Sequence, residues 1–497
     1  MSSLKKLASE TVIYGMSTML MRMLNYLLVP LYTRLFHPEA YGVVTILYAV
    51  MAFMNIFLTY GMETTYFRYA SDKGEKVYST ALNSIILSSL IFLGIAWPQT
   101  HSIAGLLRLE GNEKLIEYSL FILILDAISA LPFARLRKEG KAKRFAILRS
   151  LNILLNVLFN LLFILWIPEW VQGGWNPLGL FSAEPQIAYI FVSNLLASAL
   201  TCIFLIPEIR GLEAGFDFSL WQTMMRYALP LVLVGFAGMI NETFDRVILQ
   251  YLLPEDIAKE QIGIYGACYK LSILITLFIQ AYRFAAEPFF FAQKDRGDRS
   301  IYARATHYFT LFCFVIFLMV TLYLDLFKLL IGEEFWAGIQ VVPILLLANL
   351  FLGVYYNLST WYKLADKTMI GAYISVGGAM LTIGLLLTLI PLMGYLGAAW
   401  ATLAVYASMM VAGYITGQKY YPIPYKVRSF LFYLIFTLFL FIVSEMMNEI
   451  QSPALRYTWK SILFLSFLVV VALSEKRGKI LTSQQNPRDF DPNKSHK

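Results

Sequence analysis

Runs of about 20 mostly apolar residues recur along this chain, and that is the length a helix needs to cross a hydrocarbon layer. Fourteen can be read, from 11–33 at the start to 429–446 and 457–473 at the end, the last two separated by a short segment around Pro453. Inside lipid every backbone N–H and C=O must be satisfied within the segment, which leaves helices for runs of this length. The expected fold class is therefore all-α integral membrane, with about fourteen transmembrane helices. Composition agrees: 58% of residues are hydrophobic and 14% charged, against roughly 25% charged in soluble domains. The connections between runs reach only about 20 residues, too short for a soluble catalytic or nucleotide-binding domain, and no P-loop is present. Cys202, Cys268 and Cys313 all lie within apolar runs, without metal-type spacing, and read as packing residues. No cofactor or metal is expected. Lys5 and Lys6 precede an apolar stretch as in a signal peptide, but no small-residue cleavage site follows, so the stretch reads as a retained first span.

The formal charge is +8, from 40 Lys and Arg against 32 Asp and Glu. In a soluble protein that balance would suggest nucleic acid; in a membrane protein its distribution matters more. Sorted by alternate connecting segments, 29 basic residues fall on the side of the two termini and 7 on the other. Basic residues favour the cytoplasmic side, so the pattern predicts a multi-pass protein of the plasma (inner) membrane with both termini cytoplasmic. The remaining four, Arg22, Arg246, Lys270 and Arg283, lie within spans.

An internal repeat emerges at an offset of 224 positions. Arg22 falls on Arg246, Pro30 on Pro254, Tyr41 and Gly42 on Tyr265 and Gly266, Glu63 on Glu287, and Phe67 on Phe291. An even number of spans separates the copies, so the halves are parallel and related by an axis along the membrane normal. The expected organisation is an N-terminal bundle of spans 1 to 6 (1–215), a C-terminal bundle of spans 7 to 12 (216–425), two further helices (426–473) and a cytoplasmic tail (474–497).

Eight charges lie within the expected spans: Arg22, Asp126, Glu242, Asp245, Arg246, Lys270, Arg283 and Glu287. Left in lipid they would cost on the order of 20–28 kcal/mol, so they must meet one another or water. Glu242 with Arg246, and Arg283 with Glu287, are i, i+4 neighbours suited to pairing. Arg22 has no acidic residue at its depth; with Tyr14, Thr18 and Asn25 it forms one polar stripe. Span 2 repeats the pattern with Tyr48, Asn55, Thr59 and Glu63, and span 8 with Thr276, Gln280, Arg283 and Glu287. These stripes predict a common central cavity lined by spans 1, 2, 7 and 8, in which guanidinium forks would suit phosphate. Lys270 points away from the span 8 stripe, toward the outer surface.

On span 5, Asn152, Asn156 and Asn160 share a face and read as interhelical hydrogen-bonding residues. The segment 131–149 carries seven basic residues and reads as topology signal and headgroup contact. Pro30, Pro230, Pro254 and Pro288 stand at or near the ends of spans 1, 7 and 8, as helix terminators or bending points.

At these residues the chain resembles the polysaccharide-type flippases of the multidrug/oligosaccharidyl-lipid/polysaccharide exporter superfamily. The resemblance is carried by YTRLFHPEAYG (32–42), GMETTYFRYA (61–70), LPFARLRKEGKAKRF (131–145), NETFDRVIL (241–249), IYGACYKLS (264–272) and AYRFAAEPFFF (281–291), and extends to about residue 415. It implies two six-helix bundles forming a V around a cationic cavity that opens alternately to either side. It further implies a polyprenyl-diphosphate-linked oligosaccharide cargo, flipped to the outer leaflet for O-antigen, capsule or exopolysaccharide assembly. Arg22 and Arg246 would hold the diphosphate, with Arg283 and Lys270 as further candidates. The expected partners are that lipid-linked substrate, membrane lipids and polysaccharide polymerase machinery, not nucleic acid. A cation-coupled multidrug exporter of the same superfamily is the alternative; Asp126, Glu242, Asp245, Glu287 and Glu63 would then be coupling or pairing groups. A membrane glycan polymerase or ligase would need a large outer loop, and the longest, 168–186, holds Glu169 and Glu184 but no His, Lys or Arg.

Overall fold

A computed structural model describes residues 26–209, 215–293, 299–365 and 367–485, and among them the secondary structure is helical throughout. After a short helix α1 (Val29–Leu35) come α2 (Pro38–Thr59), α3 (Met62–Lys73), α4 (Glu75–Ala96), α5 (Glu113–Lys138), α6 (Ala142–Leu161) and α7 (Ala188–Phe204). The second half holds α8 (Phe218–Leu252), α9 (Glu255–Gln293), α10 (Ser300–Leu322), α11 (Val341–Leu358), α12 (Thr368–Met393), α13 (Tyr395–Tyr420), α14 (Val427–Met446) and α15 (Pro453–Gln485).

Twelve helical segments among the described residues are long and apolar enough to cross a membrane. They coincide with twelve of the fourteen expected runs. The sixth expected span is α7, only 17 residues long, and most of the first lies outside the described residues, so the expected count of fourteen is not reached among them. Large apolar side chains are exposed along these helices: Leu233, Met380 and Ile435 are 69%, 68% and 67% exposed. Surfaces of this kind are stable only against lipid. The chain is a multi-pass membrane protein.

Contacts divide the chain into two compact units. The first comprises residues up to 298 together with 328–423, and the second 299–327 with 424 onward. The expected organisation assigned the ninth span to the C-terminal bundle; in the structure that span, α10, belongs instead with α14 and α15. The second unit carries its own polar ties, His307 to Glu475 at 2.7 Å and Tyr323 to Ser461 at 2.8 Å.

Within the first unit, α2 and α9 are packed more closely than side chains would allow. A Cβ at Gly42 would collide with the Lys259 carbonyl, and one at Gly263 with the Pro38 carbonyl. Gly266, the repeat mate of Gly42, faces Thr45 across the same crossing. Small residues permit this backbone approach, the usual way helices associate in lipid where no hydrophobic drive exists between them. The α2–α3 junction is made by Gly61 at φ 70°, a conformation open to glycine. Pro230, expected near a span end, lies inside α8, because that helix begins well before the apolar run does.

Candidate substrate-binding cavity

The first unit contains an open cavity of about 750 Å³, within the range of roughly 300–1,000 Å³ typical of small-molecule sites. Helix α2 contributes Tyr41, Thr45 and Tyr48; α5 contributes Asp126; α6 contributes Arg149, Asn152 and Asn156; α7 contributes Asn194. From the second half come Glu242 and Arg246 on α8, and Tyr269, Lys270, Gln280 and Arg283 on α9. Four cations and two carboxylates thus share one water-accessible space. That is the arrangement that makes intramembrane charge affordable.

Each guanidinium on the α8–α9 wall is stacked on a tyrosine. The Arg246 carbon lies 3.9 Å from the Tyr269 ring centre and that of Arg283 lies 4.2 Å from the Tyr356 ring centre. Stacking engages the face of the fork and leaves donors at its edge. One Arg246 donor reaches the Glu242 carbonyl at 3.3 Å, and its nearest carboxylate is Asp245 at 4.0 Å. The anticipated Glu242–Arg246 side-chain pair is therefore not formed, and the carboxylate within reach is that of the adjacent, buried Asp245. Asp245 itself accepts from the Tyr265 hydroxyl at 2.5 Å. Lys270, expected to point outward, lines the cavity instead, with its ammonium 5.5 Å from the Tyr26 ring centre.

Other expected residues lie elsewhere. Asn55 and Thr59 do not line the cavity; the Thr59 hydroxyl donates back to the Asn55 carbonyl at 2.7 Å. The cavity meets α2 only between Tyr41 and Ala49; further along, Phe53 and Phe57 pack from the other side of the helix on Phe236. Glu63 pairs with Arg137. Arg22, Tyr14, Thr18 and Asn25 lie outside the described residues, as does the side chain of Glu287.

Arg149 is a cavity cation that belonged, on sequence, to the basic segment 131–149. Its spacing to Asn152 and Asn156 (i, i+3, i+7) is the signal that places all three on one helical face. The asparagines also act between helices as expected: Asn152 donates to Thr201 at 2.8 Å, and Asn160 accepts from Tyr32 at 2.8 Å. The rest of the basic segment is mostly tied to protein carboxylates rather than left for headgroups. Arg135 contacts Glu75 at 2.9 Å and Glu139 at 2.7 Å, Lys141 meets Glu139 at 2.6 Å, and Arg144 meets Glu208 at 2.6 Å. Burial would raise the Glu139 carboxyl, but its bonds from Lys141 and Arg135 outweigh this and hold it below its ordinary value.

At the end of the cavity marked by Tyr41 and Gly266, the α2–α9 crossing is reinforced by a polar latch. The Gly332 N–H donates to the Thr33 hydroxyl at 3.0 Å, Arg34 donates to the Leu329 carbonyl at 3.0 Å, and His37 meets Glu334 at 2.8 Å. Nearby connections join in the same way: Arg108 donates to the Gln250 carbonyl at 3.0 Å and Tyr251 to the Leu106 carbonyl at 2.8 Å.

The family described as "Polysaccharide biosynthesis protein" matches residues 7–294, more than half of the chain. No curated protein is a significant match in sequence. Among solved structures, the lipid II flippase MurJ in an inward closed conformation is similar with a TM-score of 0.72 at 14% identity, covering 94% of this chain and all of its own. An inward-facing multidrug resistance MATE family transporter of the MOP superfamily gives 0.61 at 14% identity over 83% of this chain and 97% of its own. A Vibrio cholerae MATE transporter gives 0.56 at 14% identity over 84% and 95%. At these identities the likeness is one of fold.

Proposed function

The chain belongs to the polysaccharide biosynthesis protein family, and from that premise we propose that it is a flippase for a polyprenyl-diphosphate-linked oligosaccharide. It moves this lipid from the inner to the outer leaflet for surface polysaccharide assembly. The observation that carries the reading is the cluster of Arg246, Lys270, Arg283 and Arg149 around one cavity of about 750 Å³, with stacked guanidinium groups whose edges remain available to phosphate oxygens. The fold shared with a lipid II flippase supports a lipid cargo. Arg22, the repeat mate of Arg246, is assigned to the same diphosphate.

Transport proceeds by alternating access. The latch of Arg34, His37 and Glu334 lies on connections that the basic-residue distribution assigns to the outer side, so this conformation is the one closed outward, with both termini cytoplasmic. Polymerase machinery in the membrane would receive the flipped product. Replacing Arg22 and Arg246 together by Gln abolishes surface polysaccharide at unchanged protein level; normal polysaccharide would defeat the assignment. A cation-coupled exporter is the second reading. It is supported by Asp126 and Glu242, cavity carboxylates with no ion pair among the described residues. Increased drug sensitivity of a deletion strain with intact polysaccharide would favour it.

A further inference from the structure

The charges around the cavity are not mixed at random. The wall built by α8 and α9 lines the cavity with three cations, Arg246, Lys270 and Arg283, against one lining carboxylate, Glu242, with Asp245 behind it 4.0 Å from Arg246. The wall built by α5, α6 and α7 carries one cation, Arg149, and one carboxylate, Asp126, and is otherwise furnished with the amides of Asn152, Asn156 and Asn194. Helix α2 packs against both walls, and its Tyr48 accepts from Asn194 at 3.2 Å.

A diphosphate esterified at both ends retains two negative charges, and the α8–α9 wall is the one where cations outnumber carboxylates. The opposite wall has no net charge to offer a further anion, and taking an uncompensated charge out of water is costly. Its amides instead present donors and acceptors together, the chemistry that pairs with sugar hydroxyl and acetamido groups. Asp126 adds an acceptor for hydroxyls and a repulsive element against a sugar carboxylate, the kind of device by which specificity is built. Its own hydrogen bond, from Ser198 at 2.9 Å, occupies one oxygen only.

Resting on the flippase reading, we propose that the cavity is divided, with the diphosphate seated on the α8–α9 wall and the first sugars on the α5–α7 wall, and that these sugars are uncharged. Asn156 and Asn194 are the specificity-determining residues for the sugar, while Lys270 and Arg283 serve the diphosphate whatever it carries.

The test measures binding of three probes to the purified full-length protein: farnesyl methyl diphosphate, farnesyl diphosphate-linked N-acetylglucosamine, and farnesyl diphosphate-linked glucuronic acid. The neutral sugar tightens binding at least fivefold over the bare lipid, and the uronate binds at least tenfold more weakly than the neutral sugar. Asn156→Ala with Asn194→Ala brings the ratio of neutral-sugar to bare-lipid affinity down toward one, whereas Lys270→Gln weakens all three probes alike and keeps that ratio. Equal binding of the uronate and the neutral sugar overturns the division of the cavity, and this comparison needs only the unaltered protein. Binding of none of the three overturns the flippase reading itself, a result distinct from binding without discrimination.

Discussion

The Arg246 guanidinium lies 3.9 Å over the ring of Tyr269, and Arg283 on the next helix is stacked in the same way on Tyr356 at 4.2 Å. Both pairs hold a cation by its face on the same side of the cavity. Loss of a hydrogen bond to a charged group costs about 1.5–3 kcal/mol, or roughly 10- to 100-fold in affinity. Arg246→Gln is therefore expected to weaken binding of a diphosphate lipid by that factor. Arg246→Lys keeps the charge but loses the planar fork, and falls between the two. Tyr269→Leu removes the platform and is expected to cost less than Arg246→Gln. Titration of the purified variants with a farnesyl diphosphate probe checks the order.

The latch supplies a second prediction. His37 and Glu334 meet at 2.8 Å across two connections that must separate if this end opens. With Cys202, Cys268 and Cys313 replaced, His37→Cys with Glu334→Cys is expected to form a disulfide under oxidation and to stop transport, with recovery on reduction. Transport that continues in the fully cross-linked protein would show that this end does not open.

The helices were legible because a 20-residue apolar run is a local signal, read without knowing any partner. Which helices pack together is not a local signal. The apolar surface of α10 looks like that of its neighbours in sequence, and only long-range packing assigns it to α14 and α15. The polar stripe on α2 runs on to Asn55 and Thr59, yet the cavity meets this helix only between Tyr41 and Ala49, while Phe53 and Phe57 pack from the opposite face on Phe236 of α8. Arg149 was hidden by its place at a span boundary, where a basic residue reads as topology. The stripe on α9 directs Lys270 outward, yet the cavity is wide enough to be lined by both Lys270 and Arg283 of that helix.

Glycine at the α2–α9 crossing has a measurable consequence. A Cβ at Gly42 meets the Lys259 carbonyl and one at Gly263 meets the Pro38 carbonyl, both of them backbone that cannot swing aside. Gly42→Ala is expected to force the helices apart at about 1–3 kcal/mol, the usual cost of overpacking. Gly42→Val costs more, while Gly377→Ala, with open space around its added Cβ, is a neutral control. Thermal denaturation in detergent reads the order. Equal melting temperatures for Gly42→Ala and the unaltered protein would show that the close approach of α2 and α9 does not contribute to stability.

Glu139 carries a pH-dependent contribution whose sign follows from its partners. Lys141 and Arg135 hold its carboxyl below the ordinary value of 4.5 despite burial. A depressed carboxyl contributes stability that is fully present above the unfolded-state value and is lost as pH falls through the folded-state one. The group is 30% exposed, so solvent screening keeps the effect modest. The melting temperature of the unaltered protein is expected to exceed that of Glu139→Gln at pH 7, and the gap to close as pH is lowered past about 4.5 toward the depressed value. A gap that persists at lower pH would mean that the two cations do not act on Glu139 through its charge.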